Sequence, residues 1–355
     1  MRWIKIFYTV AVFVTLTIFI YNTHLTKYLR AINQSKWKTS LPSRIFNLTP
    51  FLLDDPFAFK QMFGEQVILY IETTDSVNLK PRDVCSLESV TTFNPTVPVI
   101  IVVTVTNHTS DQLPFYNSTS FQSLMNNTQN LFVAWATIPD IAKDTILEQF
   151  LFNDTRILNS KYRPAHVGDF VRFLLLWKLG GVYLDFDIMI FKSLAPILNL
   201  KNFVIATFSN GVINAAMGFE RHNPWLNLLM NRSQTNYYPT YYPSTPQIMT
   251  LTLHYILNIS FNAGAADHMK SQVNESLHII GSKTFFPFDY ENVVLAMFNT
   301  NFTKYMEKAF ETHYGIHTWN RRTGYIKVEV NSSKPLAVAA RKFCPRTISL
   351  AGAFF

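Results

Sequence analysis

Between Val167 and Leu179 apolar side chains recur at helical spacing, with Phe170, Phe173, Leu174 and Trp177 on one stripe and Asp169 and Arg172 on another. That pattern predicts an amphipathic helix, starting within RPAHVGD (163–169). Gly180-Gly181 ends it, since glycine enters the left-handed region without steric cost. The period then changes. Val182-Tyr183-Leu184 reads as a short buried strand, and Asp185-Phe186-Asp187 falls at its carboxyl end. Upstream, VILYIE (67–72), VPVIIVVTV (97–105) and LFVAWATI (131–138) are nearly unbroken apolar runs, the signature of strands buried on both faces, with a helical region expected after CSLES (85–89). Downstream, FVIATFSNGVINAAMGFE (203–220) reads as strand, loop and strand, and IHTWN (316–320) as a strand-like segment. Strands alternating with helices predict an α/β fold: a mostly parallel central sheet flanked by helices.

Open α/β sheets place their ligand crevice at the carboxyl ends of the strands, where the Asp-x-Asp lies. Strand side chains alternate, so Asp185 and Asp187 should share one face while Phe186 turns into the body. Two converging carboxylates suit a hard divalent cation, Mn²⁺ or Mg²⁺, whose other positions go to water and substrate phosphates. A bare Asp-x-Asp also ends many strands as two solvated acids. The helix and glycine turn before it set this one apart.

The 355 residues, 48% of them hydrophobic, allow one large domain or two modest ones. A net charge of +8 is not gathered into any run of Lys or Arg, so no nucleic-acid partner is expected; the balance suits an anionic sugar nucleotide or membrane face. Residues 6–21 are uncharged and apolar, with Arg2 and Lys5 before them and no small-residue cleavage site after. They predict a transmembrane signal anchor behind a cytoplasmic tail of residues 1–5. Residues 22–60, polar and interrupted by Pro42, Pro50 and Pro56, read as a luminal stem, leaving 61–355 as the luminal domain. Eleven Asn-x-Ser/Thr sequons follow the anchor, as a luminal chain would show. In an oxidising lumen the two cysteines, Cys85 and Cys344, either form one bridge closing almost the whole domain or remain two buried thiols.

The stretch HVGDFVRFLLLWKLGGVYLDFD (166–187) resembles the donor-binding core of Asp-x-Asp glycosyltransferases. With YIETTD (70–75), CSLES, PQIMT (246–250), FFPF (285–288), IHTWN and FCP (343–345) in the same order, the chain is similar to the lactosylceramide 4-alpha-galactosyltransferase and alpha-1,4-N-acetylglucosaminyltransferase family over roughly residues 66–346. That resemblance implies a GT-A-like nucleotide-diphospho-sugar transferase fold in a single-pass type II protein of the Golgi membrane. It implies transfer from UDP-galactose or a UDP-N-acetylhexosamine to a glycolipid or glycan acceptor, in α-1,4 linkage with retained configuration. Asp185 and Asp187 would hold Mn²⁺ (or Mg²⁺), with His317 as an additional ligand. Thr73, Thr74, His166, Asp169, Arg172, Asn214 and Gln247 would line the donor site, Asp75 could join the two threonines, and Arg321-Arg322 would face the leaving phosphate. Relatives read Asn-Gly-Ala where this chain has Asn214-Ala215-Ala216, which adds a methyl group beside the donor sugar. Asp169 and Arg172, three apart, also fit a plain helix-surface ion pair. Two other classes stay open: a haloacid-dehalogenase-like phosphohydrolase with Asp185 as nucleophile, and a luminal sugar-binding protein without catalysis.

Overall fold

The computed structural model describes residues 44–74, 79–106, 118–207, 211–240, 245–257 and 277–355. The chain divides into two compact units, Met1–Ile45 and Phe46–Phe355. The expected anchor at 6–21 lies outside the described residues; among those described, no helix is long and apolar enough to cross a membrane. The second unit starts earlier than the prolines implied. Helices Pro50–Asp54 and Pro56–Phe63 belong to it, with Leu52 and Leu53 fully buried, so residues 46–60 pack in the body rather than extending as stem.

The sheet of this unit is built from β1 (Ile68–Glu72), β2 (Val99–Thr104), β3 (Leu131–Ala136), β4 (Gly181–Leu184), β6 (Phe203–Ala206), β7 (Val212–Phe219) and β8 (His278–Ile280). Their order is β3-β2-β1-β4-β7-β6-β8. β1 to β4 are mutually parallel, β7 runs against both β4 and β6, and β8 is parallel to β6. A mostly parallel sheet thus forms with one reversed strand. The unbroken apolar runs have their cause here, since every residue of β2 is buried. From β1 the chain steps outward to β2 and β3, then returns to place β4 on the other side of β1. The carboxyl ends of β1 and β4 therefore flank the switch-point crevice, where open α/β sheets bind ligands.

Helix α1 (Pro81–Phe93) contains CSLES instead of following it, because Pro81 fits the first helical position, where no N–H is needed. Helix α2 (Arg163–Leu179) leads into β4 and is buried almost all round, not amphipathic: its inner side meets β1, β4 and β7, and short helices cover its outer side. Its first residues, Arg163, Pro164 and Ala165, are exposed, and beyond them only Gly168, Asp169, Arg172 and Trp177 are less than fully buried. Gly180 (φ 71°) and Gly181 (φ 101°) make the turn into β4, and a Cβ on Gly181 would sit 2.7 Å from the Val67 carbonyl oxygen.

β5 (Ile188–Ile190) leaves the main sheet and pairs antiparallel with β9 (Gly315–His317), His317 opposite Ile188. Helix α1 braces β5 from behind: Ser86 Oγ donates to the Ile188 carbonyl, and Ser89 Oγ accepts from Ile190 N–H at 2.9 Å. Cys85 on α1 is disulfide-bonded to Cys344, at the junction of α4 (Pro335–Phe343) and α5 (Pro345–Leu350). Of the two alternatives for the cysteines, the bridge is the one present. A second apolar core surrounds it, with Met189, Phe191, Phe310, Ile316, Leu336 and Phe343.

Candidate metal and donor site

Asp185, Asp187 and His317 each bring a ligand-capable atom within 4.8 Å of the others. The two aspartates converge by a turn rather than by strand alternation: β4 ends at Leu184, and Ile188 N–H donates back to the Asp185 carbonyl at 3.1 Å. Phe186, at the tip, packs against Tyr70 with ring centroids 5.1 Å apart.

Asp187 is held on three sides. Its Oδ2 accepts from Asn320 N–H at 2.8 Å, and its carbonyl accepts from Thr318 N–H at 2.7 Å. Its Oδ1 lies 2.9 Å from His317 Nε2. The imidazole N–H is not aligned with that oxygen, however, and both ring nitrogens of His317 are buried without a hydrogen-bond partner. A buried, unpartnered imidazole beside a carboxylate is costly unless both face a common cation. Two carboxylates and one imidazole are a donor set that suits a divalent cation, which makes the three residues a candidate metal site.

Asp185 is fixed from α2 and from its own strand. Its Oδ1 accepts from the Tyr183 hydroxyl and lies 3.1 Å from Arg172 Nη1. Arg172 also reaches Asp169 at 3.4 Å, donates to the Asn214 carbonyl at 3.0 Å and stacks over the Tyr183 ring. Asn214 in turn donates to Asp169 at 2.9 Å. The Asp169–Arg172 pair is therefore no helix-surface bridge: the two side chains are 17% and 14% exposed and form part of a lattice joining α2, β4 and β7. Burial and the Asp187 charge push Asp185 up to about 6 against the pull of Arg172. Burial would raise Asp187 too, but His317 and the Asn320 N–H outweigh it and hold Asp187 below the usual carboxylate range. Burial alone would lower Arg172; Asp185, Tyr183, Asp169 and Asp187 together raise it.

Thr73, at the end of β1, meets α2 where Gly168 leaves room: a Cβ there would lie 3.2 Å from Thr73 Oγ1. Thr74 instead turns its N–H and hydroxyl to the Glu72 carboxylate. Asp75 lies outside the described residues. His166 is bonded through Nδ1 to the Tyr237 hydroxyl at 2.7 Å and is lowered by burial, so it faces the Tyr237 side of α2. Gln247 is half-buried in the first turn of helix α3 (Thr245–Leu257), which reaches β7 through the Thr250 hydroxyl on Val212 N–H at 3.0 Å. Arg322 does not turn toward the site; it donates to the Tyr290 carbonyl and lies 3.5 Å from Glu291. Two residues that the sequence reading passed over belong here. Tyr183 reads as an ordinary apolar strand position, although its place two residues before Asp185 puts both on one face. Asp83 carries no local sign of its role: burial raises it to about 6, with Asp187 and Glu72 adding repulsion, against the Lys80 N–H.

Two family models match in succession: a glycosyltransferase sugar-binding region containing a DXD motif over residues 80–204, and an alpha 1,4-glycosyltransferase conserved region over residues 218–351. The DXD in question is Asp185–Asp187, so the protein is a glycosyltransferase whose motif lies at the crevice end of β4. Over these two regions the chain is similar to alpha-1,4-glycosyltransferases and to DXD-containing sugar-binding regions of glycosyltransferases. Lactosylceramide 4-alpha-galactosyltransferase of Mus musculus is 24% identical over 292 residues, 82% of this chain and 77% of that relative. Alpha-1,4-N-acetylglucosaminyltransferase of Homo sapiens is 23% identical over 287 residues, 79% of each chain. Among solved structures, the galactosyltransferase LgtC in complex with donor and acceptor sugar analogs aligns with a TM-score of 0.39 at 11% identity, covering 80% of this chain and 96% of its own.

Proposed function

We propose that this protein is a metal-dependent hexosyltransferase of GT-A-like fold that transfers galactose or an N-acetylhexosamine from its UDP derivative to a glycolipid or glycan, in α-1,4 linkage with retention. The reading carries with it a type II Golgi membrane protein with a luminal catalytic domain. The convergence of Asp185, Asp187 and His317 at the β1/β4 switch point is the observation that supports it most. These three residues would hold Mn²⁺, which when bound supplies positive charge against the diphosphate of the leaving UDP. Asn320 N–H orients Asp187; Tyr183 and Arg172 keep one oxygen of Asp185 engaged; Asp169 and Asn214 keep Arg172 in place. An Asp185 gripped in this way by a hydroxyl and a guanidinium is a poor nucleophile, which weighs against the phosphohydrolase reading. Release of UDP from a UDP-sugar on incubation with a glycan acceptor separates the transferase from a protein that only binds sugar.

Asp187→Asn tests the assignment directly. The amide keeps the size but removes the charge that offsets a cation, so transfer should fall at least about a hundredfold, the equivalent of roughly 2.7 kcal/mol of lost leaving-group stabilisation. Phe186→Leu, which trims the contact with Tyr70, should keep measurable activity. Both variants are compared at equal melting temperature, with products from a panel of UDP-sugars and acceptors read by mass. Parent-like, Mn²⁺-dependent transfer by Asp187→Asn would remove the site assigned here.

A further inference from the structure

Asn320 reaches Asp187 through its backbone N–H because Trp319, just before it, adopts a left-handed conformation (φ 54°). A bulky residue keeps such a strained backbone only where its surroundings over-determine it. The neighbouring groups supply that restraint. The Asn320 side-chain carbonyl accepts from Thr318 Oγ1 at 3.1 Å, and its amide donates to Asp83 Oδ1 at 3.3 Å. Asp83 is itself anchored, its other oxygen accepting from Lys80 N–H at 3.0 Å in the first turn of α1. Its neighbour Arg82 holds the same turn from the next position, donating to the Thr323 carbonyl at 2.8 Å and to that of Ile326.

From this geometry we infer that Asp83 is a positioning residue for the cation site, acting through the Asn320 amide to hold the Asn320 N–H on Asp187. The inference rests on the functional reading above and extends it to a residue 104 positions before Asp187 in the chain. Helix α1, tethered by Cys85, then supports the metal ligands from two directions: its serines hold β5, and Asp83 holds the turn after β9.

The experiment measures Mn²⁺ affinity directly, from the electron paramagnetic resonance signal of free Mn²⁺, with melting in the absence of metal as the folding check. Asp83→Ala should weaken affinity about tenfold or more, the usual cost of removing a partner that orients a ligand. Asp83→Asn, which still offers an oxygen to the Asn320 amide, should stay close to the parent. Asn320→Ala should lose as much as Asp83→Ala, and the double variant no more than either alone, since both changes break one chain of contacts. Parent-like affinity in folded Asp83→Ala overturns the proposal. So does a loss in Asp83→Asn equal to that in Asp83→Ala, which would make charge rather than the hydrogen bond the cause, and so does full additivity in the double variant. Should Asp83→Ala not fold, unchanged affinity in Asn320→Ala is enough to overturn it. A parent that binds no Mn²⁺ sinks the functional reading and this inference together, whereas parent binding with an unaffected Asp83→Ala sinks the inference alone.

Discussion

His313 illustrates how strongly a single side chain answers to its surroundings in this protein. It lies at the end of helix Thr303–Thr312, 7% exposed, with Nδ1 2.8 Å from the Thr312 hydroxyl. Burial, with Lys192 and Lys283 nearby, pushes it down to about 4, against a contact with the Ala309 carbonyl. A histidine kept neutral in the fold binds its proton more readily when unfolded. Its stabilising contribution is therefore complete above about 6.5 and is lost as pH falls from there toward 4. The loss should amount to about 3 kcal/mol at most. Urea unfolding across that window should show stability falling with acidification, and His313→Gln should flatten this part of the curve. An unchanged slope in the variant would mean that His313 is not the group responsible. In the site the same logic runs through pairs: Asp185 and Asp187, two residues apart, both feel burial, but in Asp185 burial and the Asp187 charge prevail over Arg172, whereas in Asp187 His317 and an N–H outweigh burial.

Among the elements, the short β5–β9 ribbon decides whether a metal site exists, because it alone brings His317 to the aspartates. Its close approach depends on Gly315, where a Cβ would lie 2.4 Å from the Met189 carbonyl oxygen and 3.3 Å from Ile190 Cα. No rotamer relieves a contact with backbone, so the strands would have to separate. Gly315→Ala should cost about 2 kcal/mol in overpacking and shift His317, two residues on. The expected result is Mn²⁺ affinity lowered by more than the change in stability accounts for, read by metal titration beside thermal melting. Equal metal affinity in the variant would show that the ribbon tolerates the side chain. Helix α2 makes a complementary point. Its apolar stripe was legible, but the opposite side is buried as well, since short helices close over it; of its polar residues Asp169 and Arg172 are turned to the site, while His166 meets Tyr237 and Lys178 meets Asp54.

For the molecule as a whole, the Cys85–Cys344 bridge ties the early helix α1 to the last helices across 259 residues. Loop-closure entropy assigns a bridge of that span about 5 kcal/mol, through restriction of the unfolded chain. Close by, Glu88 accepts from the N–H groups of Arg346 and Thr347, so α1 also caps α5. The reduced protein, or Cys85→Ser with Cys344→Ser, should unfold at clearly lower denaturant than the oxidised parent. Because α1 backs β5, reduction should also weaken Mn²⁺ binding before global unfolding. Two free thiols in the denatured, unreduced protein would contradict the bridge.

Much of this was readable along the chain. Unbroken apolar runs marked β1 to β3, the change of period at Gly180-Gly181 marked where helix gives way to strand, and the Asp-x-Asp marked the crevice end of β4. Such features are local: they record how each short segment is buried and which backbone angles it needs. Tertiary structure alone decided the turn that converges Asp185 and Asp187, the pairing that delivers His317, the grip of Arg172 on Asp185 and the Asn214 carbonyl, and the link from Asp83 to Asn320. Each joins elements whose relative placement comes from packing, strand register and a cross-link between distant residues. A period of 2 or 3.6 residues carries no record of which partner a side chain will meet a hundred positions away.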